Sequence, residues 1–304
     1  MRREHGSKKH RELALTGFVA IAALGAAAAL IWPAGPEPEP DPEPARHHRA
    51  LDGWRAGPAT RPLERIPGRG AIDRAARFAR TRGDLVSFAA IDSTGRLHSA
   101  RGTIPYPSAS LGKAMVLAAY LRRLEAAGGS LTSEARQRLT SMITWSDNTA
   151  ADALYPAIGD PGMLDVARRA RMRSFVPTGY WSEAQVTADD MARLMWRLRN
   201  VLGQRYGELG MRLLAHIIPA QRWGIPDAAG PSWHAWFKGG WRESPGGQLV
   251  HQAALLRGGG QRVAIAVLTD AQPSQAYGVD TIRGIAARLL GTARRMVESG
   301  DRQG

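Results

Sequence analysis

The sequence predicts an α/β (α+β) domain: an antiparallel β-sheet flanked by N- and C-terminal helices, with a helical segment inserted between its strands. Three observations lead there. A strand-like run, Leu85–Ile91, stands near the start of the folded part. Three more runs, Trp236–Gly239, Leu249–Arg257 and Arg262–Leu268, stand near its end, the last two separated by the turn Gly258-Gly259-Gly260. Between these two groups the apolar spacing is helical. Strands at both ends of a domain meet most simply in one sheet.

The chain begins with a basic tail, residues 1–12, carrying Arg2, Arg3, Lys8, Lys9 and Arg11. Leu13–Trp32 then runs without a charge, about the length that crosses a bilayer as a helix. Basic residues ahead of such a span place the N-terminus in the cytoplasm and the remainder outside. Residues 13–32 therefore read as a single-pass transmembrane anchor. The alternative is a cleaved signal with Ala27-Ala28-Ala29 as its cleavage site, which would make the protein secreted. Residues 33–67 form a linker, whose alternating prolines and acids from Pro33 to Pro44 favour a stiff, extended spacer. The folded domain is expected over 68–291, followed by a tail, 292–304.

Within the domain, Ala71–Arg80 has an apolar helical stripe of Ile72, Ala75, Ala76, Phe78 and Ala79. Asp92-Ser93-Thr94-Gly95 marks a turn into a second short strand. A helix is expected from Ser110 through Leu117, Leu121 and Leu124, stopping at Gly128-Gly129. Thr132 caps another to about Thr144. Further helices follow Asp147, Asp160-Pro161 and Thr187, where Thr187 and Asp190 have capping-box spacing. Tyr277–Leu290 closes the domain as an amphipathic helix.

Composition excludes several chemistries. The chain has no cysteine, so it has no disulfide, no thiolate metal site, no cysteine nucleophile and no lipid on an N-terminal cysteine. Its net charge is +14, but the arginines are scattered over helical segments without interleaved aromatics. That pattern argues for solvated helix faces and against nucleic acid, and leaves attraction to an anionic cell surface. A monomer with no metal and no cofactor is expected.

Of the 41 basic residues only four are lysine: Lys8 and Lys9 in the tail, and Lys113 and Lys238 in the domain. Arginine cannot give up its proton in a protein, whereas a buried lysine can. A lysine retained amid so much arginine is a candidate for proton transfer. Lys113 closes Ser110-Leu111-Gly112-Lys113, and Lys238 opens Lys238-Gly239-Gly240, with Ser146-Asp147-Asn148 between them. Three residues apart at a helix start, Ser110 and Lys113 share a face. Each motif alone also has an ordinary reading: a cap at Ser110, a surface lysine at Lys113, a cap at Ser146-Asp147-Asn148, a turn at Lys238-Gly239. The three in this order specify a serine nucleophile with a lysine base.

From about Ala71 to Leu290 the chain resembles the class A β-lactamase and penicillin-binding family. The resemblance is carried by Pro107–Lys113, by Met142–Ala151 and by the strand of Lys238. It implies that Ser110 is the acylated nucleophile, Lys113 its base and Ser146 the relay to the leaving nitrogen. Asn148 would hold the substrate's amide side chain. Lys238 would set the electrostatics and attract a carboxylate. Backbone N–H groups of Ser110 and Trp241, beside Gly240, would form the oxyanion hole. The implied substrate is a β-lactam or a related peptidoglycan-type amide. A D,D-peptidase on the same machinery is the first alternative, and a non-catalytic wall-binding or sensing module the second. Three departures stand out. Gly239 replaces the family's Thr or Ser, the segment before Ser146 is short, which implies a reduced helical subdomain, and the loop of the deacylating glutamate is truncated. Glu183 lies at about the right distance for that glutamate, and a solvated loop position is its other reading.

Overall fold

A computed structural model describes residues 66–292. The expected tail at 1–12, the anchor at 13–32, and nearly all of the 33–67 linker and the C-terminal tail lie outside the described residues. Among those described, no helix is long and apolar enough to cross a membrane.

In chain order the elements are α1 (Arg69–Arg80), β1 (Val86–Ile91), β2 (Leu97–Ala100), β3 (Tyr106–Pro107), α2 (Gly112–Ala126), α3 (Ser133–Thr144), α4 (Asn148–Leu154) and α5 (Gly159–Ala170). There follow β4 (Gln185–Val186), α6 (Ala188–Trp196), α7 (Leu198–Leu202), α8 (Gly207–Ala215), α9 (Ile225–Ala229), β5 (His234–Ser244), β6 (Gly247–Gly258), β7 (Gln261–Gln272) and α10 (Gln275–Leu290). Five strands form one antiparallel sheet in the order β2-β1-β7-β6-β5. The N-terminal strand β1 thus pairs with the C-terminal strand β7, Phe88 opposite Val267. Terminal helices α1 and α10 pack on each other, and α2 to α8 make the helical insert.

The strand near Lys238 runs well past Gly239, its expected end, and reaches Ser244. Two consecutive glycines weaken a strand considered alone. Here pairing along β6 carries the backbone through them, with Lys238 opposite Ala253 and Gly240 opposite His251. The short pairing of β3 with β4 and the helices α7, α8 and α9 had no clear periodicity in the sequence.

Helix caps behave as their chemistry dictates. Thr132 Oγ1 accepts from Ala135 N at 3.2 Å, and Asp147 Oδ1 accepts from Ala150 N at 3.2 Å. Thr187 accepts from Asp190 N at 3.2 Å, but no reciprocal capping box forms. The buried Asp190 carboxylate instead accepts from Arg173 N at 2.7 Å and Ser174 N at 2.8 Å, tying down the loop before β4.

Helix α2 is the core of the insert. Leu111, Met115, Val116, Leu117, Ala118 and Leu121 are all buried. The first half of α2, from Gly112 to Ala119, is buried on every side, and the one charged residue it carries, Lys113, is buried with it.

Candidate active site

Ser110 lies in a single 3-10 turn, Ala109–Leu111, which leads directly into α2. Side chains three apart eclipse in such a turn, and Lys113 Nζ lies 3.2 Å from Ser110 Oγ. The turn is anchored from outside. Ala109 N donates to Ser182 O at 2.9 Å and Ser108 N to Ala184 O at 2.8 Å, while Ser108 Oγ donates to Trp181 O at 2.7 Å. Ala109 itself has φ 45°, a left-handed conformation that costs free energy in a non-glycine residue and recurs at functional sites.

Ser146 is the second left-handed residue of the site, with φ 62°. This backbone turns its carbonyl toward Lys113 Nζ, which donates to it, and places Ser146 Oγ 3.3 Å from the same ammonium. Lys238 Nζ reaches Ser146 Oγ from the sheet side at 2.9 Å and also donates to Gly239 O at 2.9 Å. Asn148 Oδ1 accepts from Lys113 Nζ at 2.6 Å. Ser110, Lys113, Ser146, Asn148 and Lys238 therefore meet in one cluster, drawn from α2, the start of α4 and β5. A cavity of about 660 Å³ lined by Arg122, Glu125, Arg199 and Glu208 includes none of them.

Burial sets the charge state of both lysines. Desolvation pulls Lys113 down to about 8, partly opposed by Asp147 and Asp152. Lys238 is fully buried and is held well below the ordinary lysine range, by desolvation first and by Lys113 second. Desolvation is thus what lowers Lys113, and of the two lysines it is Lys238 that bears the charge repulsion.

Gly240 and Gly239 point to opposite faces of β5, as neighbours on a strand must. A Cβ on Gly240 would meet Ser110 N at 2.8 Å and Leu111 N at 3.2 Å. Only glycine allows β5 to lie this close to the nucleophile turn. Trp241 follows it, half-buried. A Cβ on Gly239 would meet the Trp223 ring at 3.0 Å. Trp223 thus covers the position where the family carries a hydroxyl, and no sequence pattern singled it out.

Glu183 is a loop residue with an exposed side chain, paired with Arg242. Arg242 binds it through both guanidinium Nη atoms, Nη2 to Oε2 at 3.0 Å, and Ser182 Oγ donates to Oε1 at 3.1 Å. The Arg242 bond, above all, holds its carboxyl below the usual glutamate range. The loop presents Trp181 to the lysine instead: Lys113 Nζ sits 4.8 Å from the centre of that buried ring. Asp152 Oδ1 fixes the ring, accepting from Trp181 Nε1 at 2.8 Å and from Tyr180 OH at 2.7 Å.

A serine whose hydroxyl contacts a desolvated lysine, with a second serine bridging two lysines beside an edge strand, defines a serine acyl-transfer enzyme. The chain belongs to the beta-lactamase enzyme family, whose model matches residues 129–293, more than half of the chain. The match includes Ser146, Asn148 and Lys238 and begins after Ser110 and Lys113. No curated protein matches the chain. Among solved structures it is similar to a beta-lactamase from Xanthomonas campestris at 17% identity, covering 73% of this chain and 97% of that one, with a TM-score of 0.63. A class A beta-lactamase from Mycobacterium abscessus is similar at 19% identity, covering 73% and 98%, with a TM-score of 0.63. At 19% identity a beta-lactamase from Sphaerobacter thermophilus covers 74% and 97%, again with a TM-score of 0.63. The protein is a serine hydrolase with the class A β-lactamase fold.

Proposed function

We propose that the protein opens β-lactams or related peptidoglycan-type amides through an ester on Ser110, with Lys113 as the base in both half-reactions. The observation that carries this reading is the 3.2 Å contact between Ser110 Oγ and a lysine whose pKa burial has brought to about 8. Near neutral pH an appreciable fraction of Lys113 is then the free amine, as a general base must be.

In the first half-reaction Lys113 Nζ takes the Ser110 proton and Oγ bonds to the carbonyl carbon. The carbon–nitrogen bond breaks, and the proton passes through Ser146 Oγ to the leaving nitrogen. Backbone N–H groups of Ser110 and Trp241 would carry the oxyanion, and Asn148 would hold the amide side chain. In the second half-reaction Lys113 takes a proton from water as the water oxygen bonds to the ester carbon, and the carbon–Oγ bond breaks with that proton returned to Ser110 Oγ. Glu183 does not serve here because Arg242 occupies both of its oxygens. Hydrolysis is accordingly slow and the ester accumulates.

Intact-mass spectrometry after mixing with benzylpenicillin tests the reading. The expected result is a one-to-one adduct on Ser110 that decays over minutes or longer. Absence of any adduct, or an adduct on another residue, would overturn it.

We further infer that Leu13–Trp32 anchors the protein in the membrane with the hydrolase on the outer side. Support comes from the basic residues ahead of an uncharged stretch of spanning length. Release of the full chain from membranes by alkaline carbonate would contradict it.

A further inference from the structure

We infer that Trp223 and Trp241 make the enzyme select acyl donors whose leaving side carries an uncharged, apolar group where a β-lactam carries its carboxylate. The inference rests on acylation of Ser110 as proposed above and concerns what lies beside the bond that breaks.

Strand β5 is an outer strand of the sheet, and it packs against the Ser110 turn. An acyl donor at Ser110 must therefore lie along β5, next to Gly239, Gly240 and Trp241. Gly239 offers no side chain, and the Trp223 ring takes the space beside it, 3.0 Å from where a Cβ would stand. Trp223 meets Trp241 edge to face, with ring centres 5.9 Å apart and planes at 71°. Both indoles are only partly buried, so they present apolar surface at the strand.

Lys238 and Arg242, the cations of this strand, are committed elsewhere. Lys238 is buried and donates to Ser146 Oγ and Gly239 O. Arg242 is paired with Glu183 through both Nη groups. Arg222, next to Trp223, lies over the Phe237 ring, 5.5 Å from its centre, and its Nη1 bonds Ala215 O at 3.5 Å. A carboxylate set against the exposed surface of this indole pair loses water without gaining a partner, which is unfavourable. An apolar or aromatic group gains buried area and ring–ring contact there.

Benzylpenicillin and its benzyl ester isolate this difference, because they share the lactam and the acyl side chain. Labelling rates of Ser110 are measured by intact-mass spectrometry on the full chain. The ester is expected to acylate roughly tenfold faster than the free acid, the rate equivalent of burying part of one ring. Trp223→Ala should bring the ratio of the two rates to near one. Trp223→Phe, which keeps a ring, should retain most of the preference. Faster labelling by the free acid in the wild type overturns the inference while leaving acyl transfer intact. An unchanged ratio in a Trp223→Ala protein that still labels overturns it as well. Failure of both compounds to label Ser110 overturns the acyl-transfer reading itself, and this inference with it.

Discussion

Lys113 holds its ammonium nitrogen 3.2 Å from the hydroxyl of Ser110 without a carboxylate partner. All its hydrogen-bond acceptors, Ser110 Oγ, Ser146 O, Ser146 Oγ and Asn148 Oδ1, are neutral. Neutral acceptors satisfy the amine without the strong preference for its charged form that a close ion pair would impose.

The acylation rate should therefore rise with pH through a midpoint near 8, where Lys113 loses its proton. The sign follows from the mechanism, since only the free amine accepts the Ser110 proton. Lys113→Arg should be nearly as inactive as Lys113→Ala, with acylation falling by roughly 100-fold or more. A pre-steady-state labelling profile from pH 6 to about 10 checks both. An Arg variant of wild-type rate would reduce Lys113 to a bystander charge.

Lys238→Arg should be at least as damaging as Lys113→Arg. The site is completely enclosed, and arginine would bring a larger group with a permanent charge into it. A loss of roughly 3–5 kcal/mol in unfolding free energy is expected. Lys238→Met, close in volume and uncharged, should fold normally and acylate more slowly, because Ser146 Oγ loses its 2.9 Å donor. Denaturant titration of the two variants distinguishes burial from simple charge supply.

Gly240→Ala should leave a folded protein that scarcely acylates. The added methyl would stand 2.8 Å from Ser110 N, so the nucleophile turn or β5 must shift. A displacement on the order of 1 Å costs about 100-fold in rate. Far-ultraviolet dichroism matching the wild type, together with wild-type labelling, would show that β5 does not set the position of Ser110.

Glu183→Gln should leave the lifetime of the Ser110 ester unchanged. Its carboxylate already belongs to Arg242, and both side chains are well exposed. Breaking such a pair changes stability by less than about 1 kcal/mol. Time-resolved mass spectrometry of the adduct decides the point: an ester lengthened by orders of magnitude would restore Glu183 as the deacylating base.

His251 should make the domain acid-labile. It is buried opposite Gly240, with Nδ1 accepting from Thr269 N at 3.1 Å and Nε2 donating to Pro107 O at 3.1 Å. Desolvation holds it neutral, with a pKa near 4. The unfolded chain binds this proton below about 6.5, the folded one only near 4, so stability falls as pH drops between these values. The loss should approach roughly 3 kcal/mol. Thermal melts of the wild type and His251→Gln, taken from pH 7 to about 4, should converge at low pH if His251 is responsible.

Much of this molecule was legible locally. Caps at Thr132 and Asp147 follow from side-chain chemistry within three residues, and the terminal helices and β1, β6 and β7 from apolar period. The nucleophile pair was legible for the same reason, since spacing on one helix turn determines which side chains share a face. Scarcity of lysine marked Lys113 and Lys238 before any contact was known.

What the sequence alone did not determine depends on segments that meet only after folding. Glu183 and Arg242 are 59 residues apart and Asp152 and Trp181 are 29 apart, so no local spacing announces either contact. Trp223 meets Gly239 from 16 residues earlier in the chain, a separation that no helix or strand period announces. Chain order placed the two lysines in the right motifs. Only the packing of the Ala109–Leu111 turn against β5 and of α2 against α4 determined that both are desolvated around Ser146, because the cost of removing water from a charge is set by everything that surrounds it.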